Sequence, residues 1–297
     1  MQRIAREHYT YSFDKDVPAI AEIESGDRLT LETHDSSTGR IKRREDLDYY
    51  LSVRKTRESN PACGPVTVRG AMPGDGLDVR IEEIKLVAPG ILRFTPGFGI
   101  LNDAADFPAI VMVDVQDDTL VLDNGIRLPA RPMVGVVGTA LPDRVVYTAD
   151  PDINGSNMDC NSIAEGTVVH LPVWVPGALF GLGDVHASMG DAESTGGAIE
   201  ISADVTVQID VVKDAGWQKV WWETEESWIT YGHGETLEIA TREAVADMSG
   251  LLSRQLDVPF HEGFMLISAY GDVRIGQAAN CGLDVTSWVE FPKVTRK

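Results

Sequence analysis

The chain has 297 residues, of which 43% are hydrophobic and 24% charged, and its formal net charge is −20 at pH 7. This length accommodates one large β domain or two smaller ones around a sizeable core. So acidic a surface repels phosphate backbones and anionic membranes, which excludes nucleic acid and membrane as expected partners. A neutral or cationic substrate and a divalent cation are favoured instead, although solubility or a salty habitat also explains the charge.

The sequence indicates a protein without a membrane span or a disulfide framework. No apolar run approaches the roughly 20 residues that a bilayer span needs. The first residues, Met-Gln-Arg-Ile-Ala-Arg-Glu, lack the apolar core of a signal peptide, so a cytoplasmic location is expected. The cysteines, Cys63, Cys160 and Cys281, are odd in number and widely scattered, which predicts neither disulfides nor a zinc knuckle.

Short alternating segments separated by turn signals dominate the chain up to residue 138. Residues 27–33 alternate apolar and polar side chains, which is typical of a half-buried strand. Residues 40–60 lack apolar periodicity and are predicted to form a surface loop with a short helix. Further strands are predicted at 64–70, 77–86, 110–115, 119–122 and 129–138.

The second half continues with predicted strands at 168–175, 198–212 and 217–229. The one strong helix signal covers 236–256, where apolar residues recur at helical spacing. A short helix at 260–268 leads into a strand at 270–277. Since no repeat or linker stands out, we predict one domain over residues 1–297. Many short strands with frequent turns favour a sandwich or jelly roll with a small helical addition.

Acidic residues, a histidine and many glycines crowd into residues 151–204, which makes this segment the candidate active site. Asp184 and His186 would face the same side of a strand. With Asp159 and Glu193 they could supply mixed nitrogen and oxygen ligands to a metal and leave a position open for water. Alternatively, Asp184 and Asp191 only cap turns, and His186 makes an ordinary hydrogen bond.

Two further positions have both a functional and a structural interpretation. His34 and Asp35 end a predicted strand just before a turn, where site residues often project; alternatively, Asp35 forms an Asx-turn with Ser37. Cys160 could be a nucleophile, but no Gly-x-Ser-x-Gly elbow or Cys/His pair accompanies it, and a buried cysteine is the more common case. The glycine-rich loops lack the Gly-Lys-Ser/Thr ending of a phosphate cradle, so nucleotide binding is not expected.

Three blocks of sequence resemble the acetamidase/formamidase family. They are Asn-Pro-Ala-Cys-Gly-Pro-Val-Thr-Val-Arg-Gly-Ala-Met-Pro-Gly-Asp at 60–75, Gly-Ser-Asn-Met-Asp at 155–159, and the run from Leu-Pro-Val-Trp-Val-Pro-Gly at 171 to Gly-Asp-Ala-Glu at 190–193. Residues 32–35 and 271–275 resemble its N-terminal site strand and its C-terminal strand. Many members have histidine where this chain has Asn154 and glycine where it has Ala192, which bears on metal identity and substrate range.

The resemblance implies a fold and an activity. The fold would be mainly β (α+β), a jelly-roll-like β-sandwich with a small C-terminal α/β portion. The activity would be hydrolysis of short aliphatic amides such as formamide and acetamide to the acid and ammonia. The expected cofactor is a divalent metal ion, zinc in first place and calcium in second, held by Asp159, Asp184 and His186.

The expected roles of the remaining residues follow from metal-assisted amide hydrolysis. Glu193 would take a proton from water and return it to the leaving nitrogen, and Asn157 would donate to the oxyanion. Asp191 joins this catalytic set, while His34 and Asp35 would complete the substrate pocket or provide a second metal site. A hydrolase of another C–N bond in a larger or cyclic substrate and a non-catalytic metal- or ligand-binding β-sandwich are the alternatives.

Four tryptophans lie close together in the sequence, namely Trp217, Trp221, Trp222 and Trp228. Aromatic side chains are enriched in the cores of protein interfaces, which predicts a homodimer. The alternative is that these tryptophans pack in the core of their own chain.

Overall fold

The computed structural model describes residues 2–53, 57–279 and 282–295. The helices are α1 (Asp46–Val53), α2 (Leu237–Leu256) and α3 (Phe260–Tyr270). The strands up to residue 138 are β1 (Gln2–Ile4), β2 (Tyr9–Thr10), β3 (Ser12–Phe13), β4 (Ala21–Ile23), β5 (Asp27–Thr33), β6 (Ala62–Val68), β7 (Gly76–Phe94), β8 (Ala109–Gln116), β9 (Thr119–Leu122), β10 (Arg127–Pro129) and β11 (Met133–Gly138). The later strands are β12 (Val146–Tyr147), β13 (Pro151–Asp152), β14 (Gly155–Asn157), β15 (Val168–Pro172), β16 (Phe180–His186), β17 (Glu200–Val212), β18 (Trp221–Glu223), β19 (Ser227–Gly234), β20 (Asp272–Ile275) and β21 (Val285–Pro292).

All described strands except β3 and β12 join one 19-stranded, mostly antiparallel sheet. At its centre, β17 pairs with β5 along one edge and with β7 along the other. β7 also pairs with β15 near its start and with β8 at its end. β16 lies between β11 and β6 and reaches β17 at a single register position. This arrangement brings the ends of β16, β17 and β7 together around the candidate site.

The main core lies between apolar faces contributed by β5, β6, β7, β16 and β17. On β17, Ile201, Val205, Val207 and Ile209 are fully buried, as their alternation in the sequence predicts. Burying a side chain of this size stabilises the fold by roughly 1.5–3 kcal/mol. Because β17 is paired along both edges and buried in this core, the residues at its N-terminal end are held in fixed positions.

The C-terminal portion places two helices against the end of the sheet. α2 packs on β19 and β21, and α3 packs on α2. Thr236 caps α2, because its side chain accepts a hydrogen bond from Ile239 N. The prediction of a mainly β sandwich with a small C-terminal α/β portion is confirmed, whereas the single domain over 1–297 stays a prediction. None of the described helices is long and apolar enough to cross a membrane.

Two predicted strands differ from the observed ones. The strand predicted at 77–86 continues to Phe94 in β7, because Gly90 lets the backbones approach; a Cβ there would lie 3.2 Å from Glu200 O. The single strand predicted at 217–229 is a hairpin of β18 and β19. The hydroxyl of Thr224 accepts from the backbone N–H groups of Glu226 and Ser227 and so makes the turn.

Candidate active site

One histidine and four carboxyl groups meet in the interior next to the end of β16. Ligand atoms of Asp159, His186 and Glu193 lie within 4.8 Å of one another, and so do those of Asp184, His186 and Glu200. All five side chains are buried, with relative exposures between 0% and 9%. His186 belongs to both groups and is therefore the centre of the site.

The sheet places His186 by pairing on both sides. Within β16 it lies opposite Met133 of β11, and it is the one residue of β16 that pairs with β17, where its partner is Glu200. Its Nε2 lies 3.5 Å from Glu200 Oε1 and 3.7 Å from Asp184 Oδ1. The site is therefore built at a junction of strands that lie far apart in the sequence.

Three of the acidic residues have left-handed backbone conformations. The φ angles are 46° at Asp159, 53° at Asp184 and 41° at Glu193. Non-glycine residues are uncommon there, at a cost of about 1–3 kcal/mol each, and such residues cluster at functional sites. The left-handed turns direct these carboxyl groups towards His186.

Gly135 of β11 provides the space in which two of the carboxyl groups meet. A Cβ on residue 135 would lie 2.4 Å from Asp159 Oδ1 and 2.8 Å from Asp184 O. The carbonyl of Gly135 also accepts hydrogen bonds from Met158 N at 3.1 Å and Asp159 N at 3.3 Å. Glycine at this position thus allows Asp159 and Asp184 to approach each other, which a larger residue would prevent.

Several polar atoms of the cluster are buried without a hydrogen-bond partner among the described residues. They are His186 Nδ1 and Nε2, Asp159 Oδ1, Asp184 Oδ1 and Glu200 Oε2. A buried polar atom without a partner costs about 1–3 kcal/mol, and more when it is charged. One imidazole and several carboxylates are ligands that suit a divalent cation such as zinc. The residues present therefore fit a divalent metal ion.

Burial dominates the acid–base behaviour of three of the carboxyl groups. It raises the pKa of Glu193 to about 8 and that of Asp184 to about 6, in both cases reinforced by the nearby Glu200 carboxylate. Burial, followed by the charges of Glu193 and Asp184, also raises the pKa of Asp159 well above its ordinary value. Without a cation these groups therefore resist being ionised together.

The other two members of the cluster form an ion pair. Burial acts to lower the pKa of His186, but the carboxylates of Glu200 and Asp184 outweigh it and raise that pKa. Burial acts to raise the pKa of Glu200, but the charges of His186 and then Arg93 outweigh it and lower that pKa to about 2. Glu200 is thus the carboxyl group of the site that stays ionised most readily.

The cluster forms part of the wall of a cavity of about 350 Å³. Glu193, Glu200 and Asn157 line it, together with Asn60, Arg93, Tyr50 and other residues. Asn157 Oδ1 accepts a hydrogen bond from Asn60 Nδ2 at 3.0 Å, which fixes the orientation of the Asn157 amide. Asn157 and Glu193 therefore lie where a bound substrate would contact them.

Asp191 lies apart from the cavity wall. Its carboxylate is exposed, is 2.9 Å from Arg274 Nε and accepts a hydrogen bond from Asn161 Nδ2 at 2.7 Å. These contacts tie the segment before Glu193 to β20.

His34 and Asp35 also lie outside the cavity lining. The His34 ring packs edge-on against Tyr9, with 5.4 Å between ring centroids. Asp35 Oδ1 accepts hydrogen bonds from the backbone N–H groups of Ser37 at 2.7 Å and Gly39 at 3.3 Å. This is the Asx-turn that the sequence offered as the alternative, and it positions Ser36, which does line the cavity.

Three residues of the site received no role in the sequence analysis. Glu200 falls inside the candidate segment 151–204 and is an acidic residue between Ile199 and Ile201 in a strongly apolar strand, which is the signal that could have assigned it. Gly135 had a weaker one, as a glycine inside the apolar run of β11. Arg93 had none, since it lies beyond the predicted end of its strand at residue 86.

Cys160 does not behave as a nucleophile. It is fully buried, its Sγ lies 3.4 Å from Met158 O, and burial raises the pKa of its thiol well above the ordinary value. Cys63 is buried as a free cysteine too, and Cys281 lies outside the described residues. The thiolate that nucleophilic attack requires is therefore disfavoured at Cys160.

Comparison with known proteins supports the same family that the sequence blocks resemble. The model of the Acetamidase/Formamidase family matches residues 3–146 and 143–233. A putative formamidase of Schizosaccharomyces pombe is 25% identical over 258 residues, which cover 67% of this chain and 63% of that protein. The chain thus spans 63% of the length of this curated relative.

Solved structures match over nearly the whole chain. A crystal structure of an acetamidase from Bacillus halodurans has 33% sequence identity and a TM-score of 0.92, covering 98% of this chain and 97% of its own. A predicted acetamidase/formamidase from Thermoanaerobacter tengcongensis has 32% identity and a TM-score of 0.91, covering 98% and 95%. The chain therefore belongs to the acetamidase/formamidase family.

Proposed function

We propose that the protein hydrolyses the C–N bond of short aliphatic amides, of the formamide and acetamide type, to a carboxylic acid and ammonia. One observation carries the proposal, namely the buried cluster around His186 that forms part of the wall of a closed-in cavity. Family membership supports it, since the relatives are named formamidase and acetamidase. A neutral substrate also agrees with the net charge of −20.

A divalent metal ion would be held at His186, which belongs to both possible ligand groups, one with Asp159 and Glu193 and the other with Asp184 and Glu200. The predicted ligands Asp159 and Asp184 thus fall in different groups. The nitrogen ligand favours zinc over calcium, which prefers an all-oxygen shell. When bound, such an ion polarises a carbonyl group and lowers the pKa of a water molecule from about 16 towards 7.

Glu193 is the proposed proton shuttle, because it lines the cavity and its pKa is raised to about 8. A carboxyl group that titrates near neutral pH can both accept and return a proton. Amide nitrogen leaves readily only when it is protonated, so the returned proton is needed there. Burial thus gives Glu193 a pKa suited to both halves of the reaction.

Asn157 is the proposed hydrogen-bond donor to the oxygen of the substrate. Because its Oδ1 accepts from Asn60, its Nδ2 remains the group that can donate into the cavity. A donor fixed in advance stabilises charge that develops on the carbonyl oxygen. For Asp191, His34 and Asp35 we propose a supporting role, since their contacts position the segments that carry Glu193 and Ser36.

The first test is metal content and ammonia release from acetamide and formamide on one preparation. We expect His186→Ala to lose the bound divalent metal and its turnover, because both ligand groups share this imidazole. His261→Ala is the matched control, as His261 is exposed on α3. Equal metal content in the parent and His186→Ala, measured by elemental analysis, would remove His186 from the ligand set.

The second test concerns the proton shuttle. Glu193→Gln keeps the size of the side chain but cannot exchange a proton, so kcat should fall by about 10²–10⁴-fold with little change in melting temperature. Because Glu193 also lies within ligand distance of Asp159 and His186, metal content is measured on the same preparation and turnover is expressed per bound metal. Glu225→Gln, at an exposed position, should retain full turnover. Turnover of Glu193→Gln within threefold of the parent, with metal retained, would exclude this role.

The alternatives stay distinguishable by the same assays. Release of ammonia only from larger or cyclic substrates would indicate a different C–N hydrolase on this scaffold. Bound metal without any turnover would indicate a non-catalytic binding protein.

We also propose a homodimer, but on a different surface from the tryptophans. Trp222 and Trp228 are buried in the core of their own chain. The other two tryptophans of the prediction, Trp217 and Trp221, are half-buried and pack on the His170 ring of the same chain. α3, in contrast, exposes Phe260, Phe264 and Met265. A cytoplasmic location remains a prediction from the sequence.

A further inference from the structure

The cavity is larger than a formamide- or acetamide-sized substrate requires. At about 350 Å³ it has the liquid volume of roughly a dozen waters at about 30 Å³ each. It falls in the range of sites that enclose ligands much larger than acetamide, which has only a few heavy atoms. Part of the wall is therefore available to contact a group other than the scissile amide.

Arg93 is the cation on that wall. It lies at the end of β7, opposite Ile110 of β8, and its Nη1 is buried without a hydrogen-bond partner among the described residues. The guanidinium carbon lies 5.5 Å from the ring centroid of the buried Tyr50 on α1, which restricts the orientation of the group. A desolvated guanidinium nitrogen without an acceptor is costly unless a ligand supplies one.

A second polar group lines the same cavity. Ser36 comes from the turn after β5 rather than from β7, and its side chain helps to lower the pKa of Glu200. Two segments of the chain thus bring polar side chains to this space, and of these two side chains Arg93 has the donor that Glu200 does not use. Neither Arg93 nor Ser36 belongs to the groups that could hold a metal.

We infer that Arg93 binds a second oxygen acceptor on the acyl part of the substrate, so that the preferred substrates are short amides carrying a neutral carbonyl or hydroxyl group beyond the scissile carbonyl. This inference rests on the proposed amide hydrolysis and names its substrate class. The geometry that carries it is a constrained guanidinium with a free donor in a cavity shared with Glu193 and Glu200.

The acceptor is neutral because of the charges around Arg93. Glu200 lines the same cavity, and the positive charge of Arg93 already acts on its carboxyl group. A carboxylate on the substrate would compete with Glu200 for this charge and be repelled by it, whereas a carbonyl or hydroxyl oxygen accepts the Nη1 hydrogen bond without that repulsion.

Three amides with the same heavy-atom skeleton test this assignment. Malonamide carries a second, neutral amide group beyond the scissile one. Malonamate carries a carboxylate at that position, and isovaleramide carries two methyl groups there. We expect kcat/KM of the parent enzyme for malonamide to exceed that for isovaleramide by about 10–100-fold, the effect of a hydrogen bond to a charged donor. Similar values for the two, or a preference for malonamate, would overturn the inference.

Variants then assign the preference to Arg93. In Arg93→Met the ratio of malonamide to isovaleramide should fall to near one, and a ratio taken within one variant is independent of any general loss of activity. Arg127→Met, at an exposed arginine of β10, should keep the parental ratio. A parental ratio in Arg93→Met would overturn the assignment. Acetamide turnover measured in parallel distinguishes failure of this inference from failure of the proposed function. If acetamide is hydrolysed but malonamide is not preferred over isovaleramide, only this inference is rejected. If acetamide and all other amides are inert, the proposed amide hydrolysis is rejected as well.

Discussion

At the scale of single residues, Ala192 occupies a backbone conformation that glycine adopts more easily. Its φ is 74°, and its N–H and carbonyl are bound to Ile275 O at 3.0 Å and Ala278 N at 2.9 Å, so the conformation is held in place. Glycine adopts this conformation about as readily as the right-handed one, whereas a residue with a Cβ does not. The methyl group of Ala192 therefore adds strain directly before Glu193.

We predict that Ala192→Gly raises the free energy of unfolding by about 1 kcal/mol, because removal of left-handed strain outweighs the added freedom of the unfolded chain. Urea unfolding of the two proteins under identical metal conditions measures the difference. Ala246→Gly, at an exposed position inside α2, should change stability by a similar amount in the opposite direction. A less stable Ala192→Gly would show that residue 192 is not strained.

At the scale of elements, His170 joins three strands. It lies on β15, its Nδ1 is 2.7 Å from Asp78 Oδ1 on β7, and its Nε2 is 3.7 Å from Glu223 Oε1 on β18. Its ring stacks on Trp221, with 3.8 Å between centroids. Burial acts to lower the pKa of His170, but the hydrogen bond to Asp78 and then the nearby Glu223 carboxylate outweigh it, and the net pKa is raised.

A raised pKa in the folded protein means that protonated His170 stabilises the fold. This contribution is complete below the ordinary histidine pKa of about 6.5 and is lost as the pH rises through the higher folded value. We therefore predict that the stability advantage of the parent over His170→Gln is largest below about pH 6.5 and shrinks as the pH rises above it. Melting temperatures measured over a pH series test this, with the exposed His261→Gln as a control for the substitution itself. An advantage that grows with pH would contradict the assigned charge.

Several strands and the start of α2 are predicted well from the sequence because their signals are local. Alternation identifies β5, β9 and most of β17, because each has one face in the main core. Thr236 marks the start of α2 to within one residue, since a cap acts through local hydrogen bonds. The prediction of a single strand at 217–229 was wrong because apolar residues lie on both sides of the turn. That turn is specified only by the hydrogen bonds to the Thr224 hydroxyl.

The site was partly predictable because several of its residues lie close together in the sequence. Asp159, Asp184, His186 and Glu193 fall in one glycine-rich window, so their chemistry and proximity in the sequence indicate them together. Arg93 comes from a distant part of the chain and joins the cavity only through pairing of β7 with β17 and β8. Sequence periodicity defines which face a residue occupies but not which strand lies beside it, and that register is what brings Arg93 to Glu200.

At the scale of the whole molecule, α3 presents a group of large apolar side chains to solvent. Phe260, Phe264 and Met265 have relative exposures of 55%, 50% and 65%. Apolar groups grouped in this way on an acidic chain are typical of an association surface. This surface replaces the tryptophans as the basis for the proposed homodimer.

We predict a mass of two 32.3 kDa chains by light scattering at micromolar concentration. Phe264→Glu should shift the protein towards one chain, because it places a charge in the centre of this surface. Phe107→Glu, at an equally exposed phenylalanine outside α3, should leave the mass unchanged. A single-chain mass for the parent protein would reject the dimer.

The pairing of β5 with β17 has a consequence for synthesis of the chain. Thr30 and Thr206 bond across these strands although 176 residues separate them. At about 5–20 residues per second, the ribosome needs roughly 9–35 s to produce the second strand after the first. Throughout that interval Leu29 and Leu31, fully buried in the finished protein, belong to a strand that has the short β1 on one edge and lacks β17 on the other. An apolar strand with an unpaired edge is a template for aggregation, so the nascent chain is a natural client for chaperones that hold extended segments.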